Sequence, residues 1–133
     1  MLTARGSDYR RNAVKKNRAV AVAVLCPVDN FQRMISGKYK LRILWDIQKG
    51  AKRYGEIKKG LLRGREGTGE IAARVLSREL KLLAEMDLIN RKDYRAVPPK
   101  VEYSLTKLGQ SLIPVISKMH DWAIRNHLSV SCE

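Results

Sequence analysis

The stretch Glu70-Ile71-Ala72-Ala73-Arg74-Val75-Leu76-Ser77-Arg78-Glu79-Leu80-Lys81-Leu82-Leu83-Ala84-Glu85-Met86 carries two helical stripes at once. Leu76, Leu80 and Leu83 recur at i, i+4 and i+7, the spacing of one apolar face of a helix. Arg74, Ser77, Arg78 and Lys81 recur at i, i+3, i+4 and i+7 and fall on a different face. Taken alone, such a segment is an ordinary surface helix with a solvated basic side. The flanking sequence decides whether that side is offered to a DNA groove.

On the N-terminal side, Tyr54-Gly55-Glu56-Ile57-Lys58-Lys59-Gly60-Leu61-Leu62 predicts a helix that buries Ile57, Leu61 and Leu62. Residues 63–69 form a turn holding Gly64, Gly67 and Gly69. It lacks the Gly-Lys-Ser/Thr end of a phosphate loop and the Gly-x-Gly-x-x-Gly of a dinucleotide site, so it reads as a connector. Helix, turn and a second helix with a basic face make a helix-turn-helix, in which the first helix buttresses the second. On the C-terminal side the period changes to two. Residues 88–94 and 101–106 predict short strands, and Pro98-Pro99, which cannot continue a ladder, form the stiff tip between them.

A basic hairpin directly after such a helix is a wing. Arg91, Lys92, Arg95 and Lys100 would then meet the DNA backbone or the minor groove, joined on the backbone by Lys81, Lys38 and Lys40. Arg grips guanine through two acceptors in the major groove, each good pair contributing roughly 1–3 kcal/mol of discrimination. Arg74 and Arg78 are the expected base readers, with Ser77 beside them.

The rest of the chain supplies the frame. Pro27 breaks whatever precedes it and Asp29 is positioned to cap a short helix with Phe31, Met34 and Ile35 inward, ended by Gly37. Residues 40–48 show Leu41, Leu44, Trp45 and Ile47 or Gln48 at helical spacing before Gly50, and residues 52–54 read as a short extended link. Thr106 caps a last helix reaching about Leu128, with Leu108, Leu112, Val115, Met119 and Trp122 at alternating spacings of four and three. Ile113, Ile116 and Ile124 add a second apolar strip, and Pro114 marks a kink or an early turn. That is more apolar surface than a small winged domain needs. The five-residue seam is therefore assigned in part to a two-fold homodimer, with closure of the chain's own core as the competing use.

Residues 1–25 hold six basic residues against one acidic, a net of +5. Their first residues are expected to be disordered, and the segment suits either a helix from Asp8 or a strand through Val20, Val22 and Val24. It serves equally as an arm for DNA phosphates, a solubilising tail or a dimer-packing extension. The expected organisation is this extension, one domain over residues 26–128 with residues 107–128 as its dimerisation helix, and a tail over residues 129–133.

Over the 133 residues, 27 Lys+Arg oppose 13 Asp+Glu for a formal charge of +14, which points to a polyanionic partner, nucleic acid before membrane. The apolar run from Ala19 to Leu25, at the end of the basic extension, is too short for a signal segment, and no run could span a bilayer, so a cytoplasmic protein is expected. Cys26 and Cys132 do not make a disulfide framework. His120 and His127 lack further ligands at usual spacing, so no metal is expected. Paired catalytic carboxylates, a nucleophile elbow and a cofactor motif are all missing from the pattern, so neither an enzyme nor a cofactor is expected.

With these segments in hand, the chain resembles the HxlR-type winged-helix transcription regulators within the MarR-like superfamily. The resemblance rests on Cys26-Pro27-Val28, Ile35-x-Gly37-Lys38-Tyr39, Tyr54-Gly55-Glu56-Ile57, Val75-Leu76-Ser77-Arg78-Glu79-Leu80 and Asp87-Leu88-Ile89. It rests above all on Val97-Pro98-Pro99-Lys100-Val101-Glu102-Tyr103-Ser104-Leu105-Thr106-x-x-Gly109. It implies an α+β winged helix-turn-helix with a two-stranded wing and dimerisation helices at both ends. It also implies a sequence-specific, double-stranded-DNA-binding homodimer that regulates transcription; a repressor is expected before an activator, because steric occlusion needs no additional domain. Such proteins often carry a cysteine at the Cys26 position, some of them responding through it to oxidants or electrophiles. The residues alone read Cys26 first as a small buried hydrophobe beside Pro27. Tyr39 stands where the family usually has tryptophan. Ala72-Ala73 replaces a Ser-Pro start, which places the helix start near Thr68. A sequence-neutral chromatin or RNA binder would explain the charge but not the Pro-Pro wing, and a protein-interaction module would explain the last helix but not the basic one.

Overall fold

The structure, a computed structural model, describes residues 26–62 and 71–128. The basic extension, the glycine-rich turn at residues 63–70 and the tail with Cys132 lie outside the described residues. The elements run α1 (Pro27–Met34), α2 (Lys40–Ile47), β1 (Lys52–Arg53), α3 (Tyr54–Leu62), α4 (Ala73–Glu85), β2 (Ile89–Asp93), β3 (Val101–Leu105) and α5 (Lys107–Arg125). This is the expected α+β winged helix-turn-helix, with one addition. The link at residues 52–54 contributes a strand, so the wing sheet has three antiparallel strands in the order β1-β3-β2. Two residues are too few for alternation to show, and only pairing with β3 reveals the strand.

Pro27 opens α1 rather than merely ending what precedes it. A proline at the first helical position loses no hydrogen bond, because that N–H has no intrahelical partner anyway. The cap position is therefore Cys26, and Asp29, expected as the cap, stands in the first turn, where its charge favours the helix dipole. Gly37, with φ +117°, turns the chain toward α2 in a conformation that L side chains rarely adopt.

The core gathers Ile43, Leu44 and Ile47 from α2, Ile57 and Leu61 from α3, Ile71, and Leu76, Leu80 and Leu83 from α4. Leu88 and Ile89 from the entry to the wing and Leu112 and Ile116 from α5 complete it. The α4 stripe is thus the one the leucine spacing predicts. Two further contacts fix the elements around it. Arg42 reaches Asp46 at 3.0 Å and the Gly60 carbonyl at 3.2 Å, joining α2 to α3. Thr106 Oγ1 accepts from the Gly109 N–H at 2.9 Å, the cap the sequence predicts for α5. Gly109 itself sits against the chain that enters the wing: a Cβ there would lie 2.1 Å from the Leu88 carbonyl oxygen. Pro114 lies inside α5 rather than at its start.

Candidate nucleic-acid interface

α4 begins at Ala73, after an extended, uncapped Ala72, so its first turn starts several residues later than Thr68. Arg74 is then a first-turn residue. Arg74, Ser77, Arg78 and Lys81 are all exposed, while Leu76, Leu80 and Leu83 opposite them are buried. α3 buttresses that first turn through the Tyr54 hydroxyl, which donates to the Ala73 carbonyl at 3.1 Å.

Glu79 lies between Arg78 and Leu80 but is buried; its close partner is Lys40, and the exposed Arg78 guanidinium stands 4.0 Å from its Oε1. Lys40 Nζ stands 2.6 Å from Glu79 Oε2 and donates to the Ser36 carbonyl at 2.7 Å. Beyond this ion pair, Glu79 Oε2 has no hydrogen-bond partner among the described residues. Lys40 was expected on the DNA backbone. Burial corrects that expectation, because its charge is committed to holding α4 against the Gly37 turn. Lys38, two residues earlier, remains exposed.

In the wing, β2 and β3 pair from Ile89 with Leu105 to Asp93 with Val101, the hairpin the alternation predicts. Arg91 and Arg95 are exposed. Arg91 stands 4.0 Å from Asp93, and Arg95 takes a left-handed turn (φ +50°) in which its N–H donates to Asp93 Oδ1 at 2.8 Å. Lys92 and Lys100 both lie over the Tyr94 ring, their Nζ atoms 4.6 and 4.3 Å from its centroid. The Tyr94 hydroxyl is hydrogen-bonded to Glu102. That bond is the main cause holding the Glu102 carboxyl below the usual carboxylate range, with Lys100, Arg53 and Lys92 adding to it. The same bond raises the Tyr94 phenol above its ordinary value. Tyr94, Glu102 and Arg53 escaped the sequence reading. The signal was the two-residue spacing of Lys92 to Tyr94 and of Lys100 to Glu102, which puts each pair on one side of its strand.

Of the seam residues on α5, Val115, Met119 and Trp122 are 46%, 45% and 55% exposed. Leu112 belongs to the chain's own core and Leu108 packs partly against it, so closure of the core claims the N-terminal end of the seam. Cys26 is an exposed free thiol, not the buried hydrophobe its neighbours suggest. His120 stacks on Trp45, ring centroids 5.1 Å apart, while His127 follows the end of α5. Among the described residues no group of three or more His, Cys, Asp and Glu could hold a metal ion, and no helix is long and apolar enough to cross a membrane.

A three-stranded wing following a helix-turn-helix whose second helix has one buried and one cationic face defines a DNA-binding transcription regulator of the winged-helix class. The particular family follows from comparison. Residues 34–130 match the model of the HxlR-like helix-turn-helix family, and the chain belongs to that family. It is 40% identical over 102 residues to MalR of Fusobacterium mortiferum, a regulatory protein by its name, covering 76% of this chain and 90% of MalR. It is 40% identical over 97 residues to the uncharacterized HTH-type transcriptional regulator YdeP of Bacillus subtilis, covering 73% and 70% of the two chains. Among solved structures it is similar to the reduced form of the redox regulator HypR. That match has a TM-score of 0.68 at 32% identity and covers 77% of this chain and 94% of that one.

Proposed function

We propose that the chain binds double-stranded operator DNA as a homodimer and represses transcription by occluding the promoter. α4 enters the major groove, and the wing lies on the adjacent backbone or minor groove. Arg74 and Arg78 read base edges, and Ser77 contacts a base or a phosphate. Lys38, Lys81, Arg91, Lys92, Arg95 and Lys100 neutralise phosphates, joined by the basic extension. Val115, Met119 and Trp122 meet their counterparts across a two-fold axis, the isologous arrangement of most dimers. The protein works in the cytoplasm.

One observation carries this reading. Four exposed hydrogen-bonding side chains share a face of α4 while its opposite face is fixed by three buried leucines and the Lys40–Glu79 pair. A groove-reading helix needs that combination, because base readout requires side chains held in register with the duplex.

The test is binding to the promoter of its own or a neighbouring gene against scrambled duplex, in rising salt. Preference for the promoter that disappears in Arg74→Ala plus Arg78→Ala supports the assignment. Equal affinity for both duplexes would instead indicate a sequence-neutral binder, and preference that survives the double substitution would remove these two residues from readout.

Regulation is assigned to Cys26, an exposed thiol at the start of α1 in a chain similar to a regulator named for redox response. Oxidation of the Cys26 thiol by an oxidant, or its alkylation by an electrophile, would release the DNA. Cys26→Ser should abolish oxidant-induced release, and unchanged release eliminates Cys26 as the trigger.

A further inference from the structure

Glu102 is the hub of the outward side of the wing. It pairs with Arg53 across β1 and β3 and with Lys92 across β2 and β3, so the three side chains share one face. Tyr94 stands two residues beyond Lys92 and Lys100 two before Glu102, and the Tyr94 N–H donates to the Lys100 carbonyl at 2.9 Å, continuing the ladder past the strand ends. The period of two therefore puts Tyr94 and Lys100 on the same face as well. Three cations against one carboxylate leave that face a net charge of +2. Two of those cations sit over one aromatic ring, and the ring is tethered to the carboxylate.

Free lysine side chains at a hairpin tip sample many rotamers, and ordering one against a phosphate costs entropy at the moment of binding. A ring that attracts both ammoniums removes part of that cost beforehand. We infer that Tyr94 is a positioning residue of the DNA interface, its ring gathering Lys92 and Lys100 into one preorganised cationic clamp for the phosphodiester backbone. This rests on the reading of the chain as a DNA-binding regulator. The clamp is indifferent to base sequence, because phosphates carry none.

The experiment measures affinity of the full chain for the promoter duplex and for scrambled duplex across a salt series. It compares wild type with Tyr94→Phe, Tyr94→Ala, Lys92→Ala/Lys100→Ala and the triple variant. Tyr94→Ala should weaken binding roughly fivefold, the combined scale of two exposed cation–π contacts, and equally on both duplexes. It should also flatten the salt dependence, by at most about two in log–log slope for two phosphate contacts. Tyr94→Phe, which keeps the ring, should retain wild-type affinity and slope. The triple variant should bind as the Lys92→Ala/Lys100→Ala variant does, because the ring then has nothing to gather.

Wild-type affinity in Tyr94→Ala, loss in Tyr94→Phe equal to that in Tyr94→Ala, or a triple variant weaker than the double overturns the inference. Failure of the wild type to bind either duplex overturns the functional reading and this one with it. Binding by the wild type that is unchanged in Tyr94→Ala overturns this one alone. Should Tyr94→Ala fail to fold, the ε-methylene proton resonances of wild-type Lys92 and Lys100 decide the point. Upfield ring shifts support the clamp, and random-coil positions refute it.

Discussion

α4 and α5 solve the same packing problem and leave different remainders. Each turns one apolar stripe into the shared core: Leu76, Leu80 and Leu83 from α4, Leu112 and Ile116 from α5. The free face of α4 carries Arg74, Ser77, Arg78 and Lys81, whereas that of α5 carries Val115, Met119 and Trp122. Burial needs are met on both helices, so stability does not account for either free face. A cationic face is complementary to a polyanion, and an exposed apolar face rimmed by polar residues is complementary to another apolar face. The two remainders thus divide the labour of the proposed regulator, contact with DNA on one helix and contact with a second copy on the other.

The largest way to break this comparison is to strike the anchored side of α4. Lys40→Ala should cost roughly 3–5 kcal/mol, because it leaves the buried Glu79 carboxylate with only the exposed Arg78 guanidinium, 4.0 Å away, in place of its close partner. Chemical denaturation measures this, and a loss below about 1 kcal/mol would show that the pair does not fasten α4. Replacing both partners by apolar residues, as in Lys40→Met with Glu79→Leu, should recover most of the loss, since the buried charge goes with its partner. The equivalent strike on α5 is on its free face. Trp122→Ala should shift a dimer toward monomer by about 2 kcal/mol or more, the scale of an aromatic interface anchor, with little change in the stability of the single chain. Sedimentation at graded concentration reads the first quantity, and chemical denaturation reads the second. A Trp122→Ala chain that dimerises like wild type would move the seam elsewhere.

The joint between the two helices offers a sharper cut. Gly109 packs the first turn of α5 on the Leu88 carbonyl, which sits between α4 and the wing. Gly109→Ala should cost roughly 1–3 kcal/mol by overpacking, read as a lowered melting temperature. A neutral result would mean the joint yields without cost and that α5 is not fixed relative to α4.

The free faces of the two helices were legible in the sequence because periodicity of 3.6 separates faces without reference to the rest of the fold. The Pro-Pro tip and the alternation at residues 88–94 and 101–106 made the hairpin legible for a similar reason. What escaped depends on distant pairing. Lys40 reads as one more cation near the start of a helix, and nothing local says that Glu79, 39 residues later, takes it out of solvent. β1 has two residues and gains its identity only from β3. The start of α4 differs from the expected Thr68 because Ala72-Ala73 carries neither a Ser-Pro start nor a capping side chain to mark it, and the helix begins only at Ala73. Leu112 and Val115 belong to the same seam in sequence, yet three-dimensional packing gives one to the core and leaves the other exposed.

The smallest predicted effect concerns the carboxylate at the centre of the wing. The Tyr94 hydroxyl, then Lys100, Arg53 and Lys92, favour the ionised form of Glu102 in the folded chain. A carboxyl held below its unfolded pKa adds stability above that pKa and loses it as pH falls through the folded value, so this contribution fades only on the acid side. Glu102 is exposed to solvent screening, and its effect on melting should be slight. The direct readout is its side-chain carbon chemical shift in an NMR pH titration. Its midpoint should fall below the ordinary glutamate value, and Tyr94→Phe should move it back most of the way, since the hydroxyl is the largest cause. Lys92→Ala should move it back less. A midpoint insensitive to Tyr94→Phe would mean that charge alone orders the wing, and the ring would then hold its lysines without the tether to β3. Phosphate contact would survive that outcome, but the wing would meet DNA as a looser element than α4, whose pinned side allows no such freedom.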